Sequence, residues 1–150
     1  MPSGFLILAD GRCLARRWWA YDRIIQAVAD SVDDSAAGLA LRDWLLALLP
    51  GPDDEEEIGY GAWYRAADSQ TVVRHLDIRE FTPENQRLFH TAALKSSKRC
   101  AESPGVFDAE ESLLDLGDMV ERADRGEPPL SRSDWREVAP SEGRHIGPGW

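Results

Sequence analysis

The residues best able to do chemistry in this chain are three histidines and two cysteines. His75, His90 and His145 lie far apart, and no two share the short spacing of a metal site. Cys13 and Cys100 have no neighbouring base to make either a nucleophile. The chain has no G-x-S-x-G, phosphate-binding loop, H-E-x-x-H or C-x-x-C pattern. His75 is the best acid–base candidate. Asp77 follows two residues along the same strand face, with Tyr60 diagonal to it. A carboxylate there would favour the charged imidazole, which could donate a proton. The commoner role of a strand histidine among aromatics is a half-buried surface position. Tyr60, Tyr64, His75 and Asp77 could instead line a pocket for a small molecule. Hydrolase-type chemistry at His75 and small-molecule binding are thus the alternatives to the main reading below. No metal and no cofactor are expected.

The second constellation is electrostatic. The formal net charge is −10, from 27 acidic and 17 basic residues. Asp53, Asp54, Glu55, Glu56 and Glu57 form one uninterrupted acidic run. It lacks the alternating ligands and turn glycine of a calcium loop, so it reads as a solvated loop or as docking acidity. A field of this sign repels a phosphate backbone and attracts a basic protein. The only local basic group is Lys95, Lys98 and Arg99, at the end of a helix, where cations complement the dipole. Nucleic-acid binding is therefore not expected. The chain also holds six tryptophans, a residue type that anchors interfaces. The expectation is an acidic protein that binds another protein with a basic surface, as an immunity- or inhibitor-type neutraliser would. Its candidate contacts are Asp53 to Glu57 and Trp63, and a homodimer is a further option.

Those residues must be positioned by a hairpin. The run from Ile58 to Arg65 and that from Thr71 to Ile78 are rich in aromatic and β-branched residues, and Ala67 to Gln70 is a polar break. With Asp68 and Ser69 at the tip, Trp63 lies opposite Arg74, Tyr64 opposite Val73, and Ala62 opposite His75. An earlier hairpin is signalled by Asp10-Gly11 between Phe5–Leu8 and Cys13–Ala15. Four helices follow from periodicity and caps. The first runs over Trp18–Val32, with Trp18, Tyr21, Ile24, Ile25, Val28 and Val32 in one stripe. The second runs over Ala36–Leu49, with Asp33, Asp34 and Ser35 as possible caps, and the third starts at Thr82-Pro83-Glu84. The fourth is expected behind Asp108, with Glu111 as its capping-box partner, and ends at Gly126. A short helix is expected within Ser131–Val138.

Hairpins grouped apart from helices indicate the α+β class. The expected architecture is a small, mostly antiparallel sheet of about four strands, made of two hairpins and packed with about four helices. Residues 1–140 should form a single domain, and 141–150 a Gly- and Pro-rich tail. No apolar run reaches the roughly 20 residues that span a bilayer. Phe5–Leu8 is too short for a secretory core and lacks a basic lead. With two cysteines, this points to a cytoplasmic protein. The arginine-, alanine- and glycine-rich composition suits a bacterial source.

Overall fold

The computed structural model describes residues 4–49, 63–66, 72–128 and 143–146; the side chains of 18, 63–66, 72–75 and 143–146 lie outside that description. The fold is α+β. Strands β1 (Gly4–Ile7) and β2 (Cys13–Arg16) precede helices α1 (Trp18–Ser31) and α2 (Ala36–Ala47). Strands β3 (Trp63–Ala66) and β4 (Val72–Asp77) lead through a 3-10 turn at Ile78–Glu80 into α3 (Pro83–Glu102). Helix α4 (Glu110–Asp124) and strand β5 (Gly143–Ile146) complete the order. The helix expected within Ser131–Val138 lies outside the described residues.

Both expected hairpins form. Asp10 and Gly11 turn the first, with Gly11 at φ +92° where a side chain would be strained. The Leu8 N–H donates to the Arg12 carbonyl at 2.9 Å and closes the loop. In the second hairpin Trp63 pairs with Arg74 and Tyr64 with Val73, the expected register. The sheet itself departs from two antiparallel hairpins. It has five strands in the order β2-β1-β4-β3-β5. Strand β1 runs parallel to β4, pairing Phe5 with His75 and Ile7 with Asp77, so β2-β1-β4 is a mixed three-stranded unit. The antiparallel expectation holds within each hairpin and fails where they join. The joint is a long-range pairing with no local signal. Strand β5 adds antiparallel to β3.

Side-chain alternation along β1 divides the core. Leu6 and Leu8, with Leu14 and Leu76, join the main core under the helices. Phe5 and Ile7 join Cys13 in a smaller cluster on the other face. The stripe Tyr21, Ile24, Ile25 and Val28 of α1 is buried in the main core, as its spacing requires. Helix α2 is capped by Ser35, whose hydroxyl accepts from the Gly38 N–H at 3.0 Å. Thr82 caps α3 in the same way through the Asn85 N–H. Helix α4 corrects the expected cap. It starts behind Ala109, at φ 59° and with no side-chain cap, so Asp108 and Glu111 do not form the box. Asp108 instead lies 3.6 Å from Arg23 of α1.

Helices α3 and α4 form an antiparallel pair, since Gly117 lies against Ser97 and Asp124 against His90. A Cβ at Gly117 would collide with the Ser97 side chain, so glycine sets how closely the two helices approach.

Candidate functional site

Helix α4 has two chemically distinct sides. Leu113, Leu116, Met119 and Val120 are buried against α3 and the core. The remaining positions hold six carboxylates, Glu110, Glu111, Asp115, Asp118, Glu121 and Asp124, against one arginine, Arg122. The formal charge summed over this helix is thus −5, and the run from Asp53 to Glu57 sums to another −5. The formal net charge of −10 equals these two blocks; elsewhere positive and negative residues cancel.

The carboxylates of α4 differ in how far they are neutralised. Asp115 meets Arg16 at 2.5 Å, Asp118 meets Arg122 at 3.0 Å, and Glu121 lies 3.9 Å from Arg125. Glu110 accepts from the Gly105 N–H at 3.1 Å. Glu111 has no ion pair among the described residues. The first turn of the helix, where its dipole is positive, therefore holds the least compensated acids. Trp19, at the start of α1, lies across from that turn and is 60% exposed. Leu114, one turn along α4, is 38% exposed.

A second polar group sits where the parallel strands β1 and β4 end, the side of such sheets on which ligands commonly bind. Here that end is occupied by internal pairs. Asp77 is 0% exposed, and its carboxylate accepts from the Arg79 Nε at 2.9 Å and Nη2 at 2.7 Å. A carboxylate gripped bidentately by a guanidinium makes two charge-assisted hydrogen bonds, which fix its orientation. That pairing also raises the Arg79 pKa above its ordinary value. Arg12 is 6% exposed; its Nε donates to Asp10 at 2.6 Å and its Nη2 to the Glu127 carbonyl at 2.9 Å. This ties the β1–β2 turn to the end of α4. His90 of α3 lies 3.7 Å from Asp124. Burial pushes its pKa down, outweighing the upward pull of Asp124 and Asp10. Arg12 Nη1 and His90 Nε2 are buried with no hydrogen-bond partner among the described residues.

Of the residues singled out from sequence, Asp77 is at the end of β4, closed by Arg79. His75 is on β4 opposite Phe5, Trp63 and Tyr64 are on β3, and their side chains lie outside the described residues. Tyr60 and the run from Asp53 to Glu57 lie outside the described residues altogether. Both cysteines are buried, and burial raises the Cys100 pKa. Among the described residues no group of three or more His, Cys, Asp or Glu side chains could hold a metal ion, and no helix is long and apolar enough to cross a membrane. Sequence reasoning read the apolar stripe of α4 but not its charge, whose six acids are interleaved with the core residues of the stripe. It also left Trp19 unplaced. The available signal was its position one residue beyond Trp18, off the α1 stripe.

The class the fold defines is α+β, a mixed sheet with four helices. Beyond that class, no family model matches the chain, and no curated protein or solved structure matches it either.

Proposed function

We propose that this protein works by binding another protein that presents a basic surface, in the manner of an immunity or inhibitor protein. The observation that carries this reading is the segregation of charge. The formal charges of α4 and of the run from Asp53 to Glu57 add up to the net charge of the chain, each contributing −5. Concentrated charge of one sign steers a complementary partner and speeds its encounter. Tagged protein offered source-cell lysate at low salt, then eluted with rising salt, tests it. A basic protein recovered at equal stoichiometry, and rebinding when purified, is the expected outcome. Retention that does not respond to salt would contradict it.

A second reading, a small-molecule module, is supported by a cleft of about 320 Å³ between α2 and the start of α3. Leu41, Trp44 and Phe81 line it, with the two rings 5.5 Å apart and nearly perpendicular. Apolar and aromatic walls with a few polar groups are what small-molecule sites use. A thermal-shift screen against metabolites tests it, with Trp44→Ala as the control.

A further inference from the structure

We infer that the partner docks in the groove between the start of α1 and the start of α4, and that the docking segment is an amphipathic stretch with an apolar anchor flanked by lysine or arginine. This rests on the reading of the protein as a binder of basic proteins and gives that reading a place. Trp19 forms one wall together with Arg17, and Glu110 and Glu111 form the other, enclosing about 450 Å³. Glu110 and Glu111 also line the adjoining depression with Leu114 and Asp115, so the two recesses share a wall.

Three observations point to one occupant. Trp19 is 60% exposed, whereas large aromatics are usually well covered. Tryptophan is the residue type most enriched at binding hot spots, because its large rigid surface is costly to leave in water. Leu114, also exposed, adds apolar surface in the adjoining recess. The wall between these apolar residues carries Glu110 and Glu111, neither in an ion pair among the described residues, and the groove sets the single cation Arg17 against them, leaving an acidic excess. Arg16, the cation nearest Asp115, is already paired with it at 2.5 Å. An apolar side chain seated on Trp19 and Leu114 would bring flanking cations to Glu110 and Glu111. A purely charged partner would leave the tryptophan wet, and a purely apolar one would leave the carboxylates desolvated and unpaired.

The test uses the full chain, nitrogen-15 labelled, and two synthetic peptides of equal positive charge. One is an amphipathic lysine–leucine helix and the other a lysine–serine peptide of the same length. The expected result is that the lysine–leucine peptide shifts the Trp19 indole N–H and the amides of residues 110–115. Trp19→Ala should weaken its binding at least about thirtyfold. Trp19 is exposed, so the variant should keep the wild-type melting temperature; Leu114→Gln gives an independent second loss should it not. Shifts confined to other surfaces, or Trp19→Ala binding as tightly as wild type, would overturn the groove while leaving the charge-based function standing. Self-association of the free protein through Trp19 would also overturn it, by making a second copy the occupant. Failure of wild type to bind either peptide at low salt would contradict the proposed function itself.

Discussion

His90 shows how burial sets the behaviour of single residues in this protein. Its imidazole lies between α3, the end of α4 and the β1–β2 turn, with Asp124 and Asp10 as the charged groups acting on it. Desolvation holds its pKa below the ordinary 6.5. As pH falls below that value the unfolded chain takes up the proton first, and the folded protein accepts it only lower. Stability present at neutral pH is therefore lost as pH falls through the folded-state pKa. Urea midpoints measured across pH 5 to 7.5 should fall on the acid side in wild type, and less so in His90→Gln. Arg12 makes a different claim. It bonds Asp10 and the Glu127 carbonyl, which no methionine could do. Arg12→Met should destabilise by about 1–3 kcal/mol in urea unfolding, and an unchanged midpoint would show the tie to be incidental. Neither feature was legible in the sequence. Arg12 and Glu127 are 115 residues apart, and nothing local marks either as buried.

Elements were legible wherever their signals were local. The second hairpin formed in the register that its tip, Asp68-Ser69, implied. Thr82 was readable as a cap, and Ser35 as one of three candidates with Asp33 and Asp34, because a side-chain oxygen ahead of a free amide is a short-range feature. Ser35→Ala should accordingly cost about 1 kcal/mol, read from thermal or urea unfolding. The cap of α4 was misread because Asp108 meets the same pattern, yet the chain takes a left-handed turn at Ala109 before the helix begins. Parallel pairing of β1 with β4 was hidden for the opposite reason. It depends on how far helices α1 and α2 carry the chain back, which no stretch of sequence states. The α3–α4 pair rests on Gly117, where the added methyl of Gly117→Ala would meet Ser97. Overpacking of that kind should cost about 1–3 kcal/mol, and Ser97→Gly in the same chain should restore part of it.

At the scale of the whole molecule the governing fact is where the charge lies. A net charge of −10 spread evenly would serve solubility alone. Its largest local excess among the described residues is on α4, and exposed Trp19 and Leu114 stand beside the first turns of that helix. The acidic run was legible in the sequence because its members are adjacent. The charge of α4 was spread over four turns among core leucines, and the groove beside Trp19 exists only once α1 and α4 are brought together. The measurement that tests the central claim most directly is the association rate of the purified basic partner as a function of ionic strength. Electrostatic steering predicts a rate that falls at least about tenfold between low salt and 0.5 M salt. Glu110→Gln and Glu111→Gln together should flatten that slope. A rate independent of salt, or a slope that these two substitutions leave unchanged, would contradict the assignment of the acidic helix as the surface that receives the partner.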